Sequence, residues 1–225
     1  MNSLKPRFNN VLFDLDGTLT DPFLGITGSI QYALRKLGVF RIPDAKELAW
    51  CIGPPLQGSF AQLLETDDPE RISAAMTAYR DCFGSEGLFE NELISGIPDV
   101  LEALSKAGVN LFVATSKPHV YARRIIEHFG LSGCFREVYG AELDGTRSQK
   151  SELIAYILER ETIAASDCAM IGDRKHDLIG GAANQVAGIG VLWGYGSREE
   201  LLAEKPLGIA ETPTELLSFL SADIL

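Results

Sequence analysis

Two aspartates separated by one residue stand near the start of the chain, in Asp14-Leu15-Asp16-Gly17-Thr18. Val11-Leu12-Phe13 before them is a short apolar run of the kind that forms a buried strand. Strand alternation puts Asp14 and Asp16 on the same side if the strand continues. Two carboxylates this close repel each other unless a cation or a shared proton lies between them. Mg²⁺ is the natural cation for an oxygen-rich site, and Gly17 lets the chain turn sharply after the pair. A solvated strand end with a turn is the bland alternative. Two other apolar runs end in similar chemistry. Val109-Asn110-Leu111-Phe112-Val113-Ala114 leads into Thr115 and Ser116, and Cys168-Ala169-Met170-Ile171 leads into Gly172 and Asp173. Ligands of a parallel sheet bind beyond the carboxyl ends of its strands. Three strands would thus deliver carboxylates and hydroxyls to one edge.

The elements that must position these groups alternate between strand and helix. Ile189-Gly190-Val191-Leu192 reads as a fourth strand, and Glu137-Val138-Tyr139-Gly140 as a weaker one. Residues 98–107 carry Val100, Leu101 and Leu104 on one helical face, with Gly108 as a stop. Residues 119–129 and 151–160 read as helices too. Thr212, Pro213 and Glu215 are placed as N-cap, N1 and N3 of a last helix. This alternation predicts an α/β fold with a doubly wound, mainly parallel, Rossmann-like sheet. Residues 22–88 break the rhythm. Ile26, Ile30, Ala33, Leu34 and Leu37 share a helical face, as do Ile72, Ala75, Met76, Tyr79 and Phe83. Shorter helices are expected over 44–50 and 56–64. The expectation is an inserted four-helix domain at 22–88 and a core made of 1–21 and 89–225. Helices packed directly on the sheet are the alternative.

Composition limits what such a site can serve. The chain has 225 residues, 46% hydrophobic and 23% charged, enough for a sizeable core without disulfide or structural metal. With 20 Lys plus Arg against 31 Asp plus Glu, the formal charge of −11 disfavours a nucleic-acid polymer as partner. A small phosphorylated metabolite needs only local positive charge. Cys51, Cys82, Cys134 and Cys168 form no C-x-x-C pair and are expected to be reduced thiols. His119, His128 and His176 have no mutual metal spacing, and His176 is expected at the surface. No signal-like segment and no run of about 18 apolar residues occurs, so no membrane partner is expected and a cytoplasmic location is the default.

These motifs resemble those of the haloacid dehalogenase superfamily, in its phosphatase branch with a helical cap, over nearly the whole chain. Residues 14–18 resemble the first motif, Thr115 the second, Lys150 the third, and Gly172-Asp173 with Asp177 the fourth, in the family's order. Lys150 precedes Asp173 by 23 positions, close to the family's interval. The resemblance implies Asp14 as nucleophile, Asp16 as general acid and base, and Thr115 and Lys150 as further catalytic residues. It implies Mg²⁺ held by Asp14, Asp16 (through its backbone carbonyl), Asp173 and Asp177, the last through water. It implies substrate contacts from Thr18, Ser116 and Lys117, and from Gly53 and Pro54 in a stiff cap loop. Taken alone, Thr115 could be a helix N-cap, Lys150 a solvated lysine, Asp177 a helix cap, and the Gly53-Pro54-Pro55 loop a plain connector. Lys117 rivals Lys150 for the third role.

Three other readings compete. A dehalogenase proper lacks the second aspartate, so Asp16 argues against it. A hexose phosphate mutase shares Asp14, Asp16 and the cap. A non-enzymatic receiver module is about half this length and has no helical insert. The stretches 87–97, 172–177 and 190–196 resemble bacterial sequences grouped with phosphoglycolate phosphatases and 5′-nucleotidases, which favours a nucleoside 5′-monophosphate.

Overall fold

The structure is a computed structural model, and residues 4–222 are described. In chain order its elements are β1 (Asn10–Phe13), β2 (Thr20–Asp21), α1 (Phe23–Lys36), a 3₁₀ segment (Ala45–Cys51), α2 (Leu56–Leu63), α3 (Pro69–Cys82), β3 (Glu92–Leu93), α4 (Ile97–Lys106), β4 (Asn110–Pro118), α5 (His119–His128), β5 (Glu137–Ala141), α6 (Lys150–Glu161), β6 (Cys168–Gly172), α7 (Lys175–Ala183), β7 (Ala187–Val191), α8 (Arg198–Ala203), β8 (Gly208–Ala210) and α9 (Leu216–Leu220). Internal contacts divide the chain into two units, one running up to Thr20 and again from Leu93, the other Asp21–Glu92.

The larger unit is an α/β domain around a six-stranded sheet of order β5-β4-β1-β6-β7-β8 with every pairing parallel. The middle stretches of its central strands, residues 11–13, 111–114 and 169–171, are apolar and buried because helices flank the sheet. Leu12, Phe112, Ala114 and Met170 pack on Leu153, Ile154 and Ile157 of α6 in one buried cluster. Each of these side chains other than Ala114 contributes about 1.5–3 kcal/mol by leaving water. Helix α4 buries Val100, Leu101 and Leu104, starts with Pro98 in its first turn, and ends at Gly108 with φ +80°. Strand order reverses at β1, so the crevice where ligands of such sheets bind lies between β1 and its neighbours. Phe13 is level with Val113 of β4 and Ile171 of β6. Asp14, Thr115 and Asp173 are therefore carried to the same edge.

The smaller unit is helical. Helix α1 buries Ile26, Ile30, Ala33 and Leu34, and α3 buries Ile72, Ala75, Ala78 and Tyr79. Asp68 caps α3 by accepting the Glu70 N–H at 3.0 Å, with Pro69 in the first turn. Tyr79 stacks on Phe83 and meets Phe60 edge-on. Gly25 and Gly87 touch backbone to backbone, which leaves no room for a Cβ at either.

Several expectations change. The segment expected as a helix over 44–50 is 3₁₀. The last helix opens with a 3₁₀ turn (Pro213–Glu215), and Thr212 makes no side-chain cap. Glu215 instead accepts the Glu211 N–H at 2.8 Å. Strand β8 and helix α8 carried too short a pattern to be read. Strand β4 runs on past Thr115 and Ser116, which the sequence placed at its end, to Pro118.

Candidate active site

The first acidic loop is shaped by its own backbone. The N–H groups of Thr18, Leu19 and Thr20 all point at the Leu15 carbonyl, at 2.9–3.2 Å, and Gly17 turns with φ +83°. A side chain at Gly17 would be strained there, and its Cβ would fall on the Asp173 carboxylate. This tight loop buries Asp14, Asp16 and Thr18 together.

Asp14 and Asp16 face different partners. Lys150, the first residue of α6, donates to Asp14 Oδ1 at 2.7 Å and to the Ala114 carbonyl at 2.6 Å, and lies 2.6 Å from Asp177 Oδ1. Burial pulls the Lys150 ammonium downward, but Asp14 and Asp177 outweigh it and hold the group above its ordinary range. Gly180 of α7 sits against the Lys150 backbone and Cβ, so the two helices approach closely at this lysine. Asp16 pairs through Oδ2 with Lys117 Nζ of β4 at 2.7 Å, while Asp16 Oδ1 is buried without a hydrogen-bond partner. Burial raises the Asp16 carboxyl, and Lys117 opposes that rise.

Asp173 follows β6 and is fully buried. Its Oδ2 accepts the Tyr195 N–H at 2.8 Å, and its Oδ1 faces the Thr18 hydroxyl at 3.4 Å. Burial pushes this carboxyl well above the usual range, with Asp177 and Asp14 adding to the rise. Asp177, in the first turn of α7, accepts the Arg174 N–H at 3.1 Å. Burial lifts it to about 6, against the pull of Lys150. Asp14, Asp173 and Asp177 each offer one oxygen within 4.8 Å of the others. Three buried carboxylates, two of them sharing one lysine, form an all-oxygen donor set with surplus negative charge. That is what a hard divalent cation requires.

The structure thus brings Asp14, Asp16, Thr18, Thr115, Lys117, Lys150, Asp173 and Asp177 into one region of the larger unit. Thr115 is buried, and its hydroxyl accepts the Lys117 N–H at 3.2 Å. Ser116 is half-buried beside it. The Asp16 carboxylate stands with Lys117, apart from the three-carboxylate group, and the Thr18 hydroxyl faces Asp173. Gly53 (φ +104°) and Pro54 belong to the smaller unit, between its 3₁₀ segment and α2. His176 is half-buried, which lowers its basicity, and Arg174 and Lys175 add to the effect. Sequence reasoning missed two groups. The Tyr195 N–H holds Asp173, and Trp193 Nε1 donates to the Thr18 carbonyl at 3.1 Å. The signal for them was the Gly194-Tyr195-Gly196 stretch after a strand end.

Comparison with known proteins gives consistent results. A family described as Haloacid dehalogenase-like hydrolase matches residues 11–191. A 5′-nucleotidase of Pseudomonas aeruginosa is 52% identical over 200 residues, covering 89% of this chain and 90% of that one. The Tyrosine-protein kinase PtkA of Mycobacterium tuberculosis is 38% identical over 186 residues, covering 83% of this chain but 62% of that one. A crystal structure described as a predicted phosphatase from Clostridium acetobutylicum superposes with TM-score 0.90 at 42% identity, covering 94% of this chain and 97% of that one.

Proposed function

The chain belongs to the haloacid dehalogenase-like hydrolases and is a phosphatase of that family, and we propose that it is a Mg²⁺-dependent phosphomonoesterase acting through an aspartyl phosphate on Asp14, with nucleoside 5′-monophosphates as substrates. One observation carries the chemistry. Two aspartates two residues apart lie in different surroundings, Asp14 within a carboxylate cluster on Lys150, and Asp16 on Lys117 with a buried oxygen left bare. Different environments for paired carboxylates separate nucleophile from acid.

Asp14, Asp173 and Asp177 would hold the metal, with Asp16 contributing its backbone carbonyl. Bound there, Mg²⁺ would offset the negative charge of the carboxylates and of the phosphoryl oxygens. An Asp14 oxygen attacks phosphorus as the ester oxygen departs, and Asp16 gives that oxygen its proton. Asp16 then takes a proton from water as the water oxygen attacks phosphorus and the bond to Asp14 breaks. The Thr115 hydroxyl and the Ser116 amide donate to phosphoryl oxygens, and Lys150 balances the charge that gathers there.

The substrate class is supported by the name of the Pseudomonas aeruginosa relative. The test is a panel of nucleoside 5′-monophosphates, phosphoglycolate, a hexose 1-phosphate and a small generic ester, assayed with Mg²⁺ for steady phosphate release. The highest kcat/KM is expected for a nucleoside 5′-monophosphate. Preference for phosphoglycolate would overturn the substrate class. Isomerisation of the hexose phosphate without phosphate release would make the protein a mutase, and a single phosphorylation per chain would end the hydrolase reading.

A further inference from the structure

The loop after β7, Trp193-Gly194-Tyr195-Gly196, has no part in the chemistry above, yet it grips that site at four points. Its Tyr195 N–H donates to Asp173 Oδ2 at 2.8 Å. Its Trp193 Nε1 donates to the Thr18 carbonyl at 3.1 Å, within the loop that carries Asp14 and Asp16. A Cβ at Gly194 would fall on the Asp173 Cβ and Oδ2 and on the Gly17 carbonyl. A Cβ at Gly196 would fall on the Asp173 carbonyl. From the other side, Gly17 touches the same Asp173 oxygen and approaches the Tyr195 ring. Asp173 itself is fully buried, so its carboxylate has no alternative position in solvent. Neither glycine needs positive φ here, so space alone accounts for their small size.

Resting on the Mg²⁺ reading above, we propose that residues 193–196 are a positioning element for Asp173, fixing the direction in which its carboxylate meets the cation, so that Trp193 and Gly194 set metal affinity without touching substrate. The physical basis is that a group one shell out from a metal fixes the orientation of the ligand it contacts. Replacing such a partner lowers metal affinity by about 10–100-fold. Trp193 ties the element to the first acidic loop, so Asp173 and Asp14 keep their relative placement.

The experiment titrates Mg²⁺ calorimetrically into metal-free wild type, Gly194→Ala, Trp193→Phe and, as a control, Gly133→Ala, whose Cβ would meet nothing within 4 Å. Thermal unfolding of each protein without metal accompanies the titration, with the Mg²⁺ dependence of kcat and KM as a further readout. Gly194→Ala should raise the Mg²⁺ dissociation constant at least about tenfold, and Trp193→Phe a few-fold. Both should approach the wild-type kcat at saturating Mg²⁺, and Gly133→Ala should match wild type. A folded Gly194→Ala with unchanged Mg²⁺ affinity would overturn the proposal. If that variant does not fold, an unchanged affinity in Trp193→Phe overturns it. Loss of kcat that Mg²⁺ does not restore would also overturn it. If wild type itself bound no Mg²⁺, the proposed function would fail instead.

Discussion

Replacing Asp177 by asparagine should make the metal-free protein more stable and its hold on Mg²⁺ weaker. The Asp177 carboxyl is lifted from 3.8 to about 6, first by burial, with Lys150 opposing and Asp14 reinforcing. A carboxyl whose folded pKa is raised binds more protons folded than unfolded. Its destabilising effect is absent below the unfolded value, grows between the two, and is complete above the folded one. At about 1.4 kcal/mol per pH unit, the ionised group costs up to about 3 kcal/mol at neutral pH. Asparagine has the shape and charge of the neutral acid and can still accept the Arg174 N–H, but its NH₂ then faces the Lys150 ammonium, which offsets part of the gain and makes these figures upper bounds. In chelator at pH 7.5, Asp177→Asn should therefore unfold up to about 6–12 °C above wild type, at roughly 2–4 °C per kcal/mol for a chain of this size. The gap should narrow toward pH 4.5. Mg²⁺ at a hundred times its dissociation constant stabilises wild type by about 2.7 kcal/mol. A variant binding 10–100-fold more weakly gains about 0.4–1.4 kcal/mol at the same concentration, so Mg²⁺ should close much of the gap. Thermal melts in chelator and in Mg²⁺ at both pH values measure this. A variant melting no higher than wild type in chelator at pH 7.5, or a gap independent of pH, would mean that the buried Asp177 charge does not destabilise the metal-free fold.

The remaining expectations are simpler. Chelation should abolish phosphatase activity and Mg²⁺ restore it, while Ca²⁺, with longer and looser coordination, should not; full turnover in excess chelator would contradict this. Lys150→Met leaves Asp14 and Asp177 buried without their shared cation, so urea unfolding in chelator should show a loss of about 3–5 kcal/mol. A loss below about 1 kcal/mol would mean that the ion pairs contribute little. Burial raises the thiols of Cys51 to about 11 and Cys168 to about 12. Iodoacetamide at pH 8 should therefore label the partly exposed Cys82 and Cys134 first, as read by peptide mass mapping.

The parts of the site that could be read in sequence are those set by strand ends and motif order. Asp14, Thr115 and Asp173 each sit at or just past the end of an apolar run, and the parallel sheet carries all three to one edge. Lys150 could be picked out by its distance along the chain from Asp173. What spacing could not assign was the division between the two lysines, because pairing depends on side-chain direction. Lys150 takes Asp14 and Lys117 takes Asp16. The Tyr195 N–H was invisible for another reason: every residue but proline carries that donor, and only the fold aims it. Strand β8 has three residues, too few for alternation to show. Thr212 matched a cap signature, but Glu215, which would have completed it, bonds the Glu211 N–H instead.

Asp14 is proposed to carry the phosphoryl group. Rapid acid quench of the protein turning over a nucleoside 5′-monophosphate, followed by borohydride reduction and peptide mass analysis, tests it directly, because reduction of an acyl phosphate converts that aspartate to homoserine. Homoserine is expected at position 14 in wild type and none in Asp14→Asn, whose rate should fall by at least about three orders of magnitude. Reduction at another carboxylate, or phosphate turnover by Asp14→Asn near the wild-type rate, would contradict it.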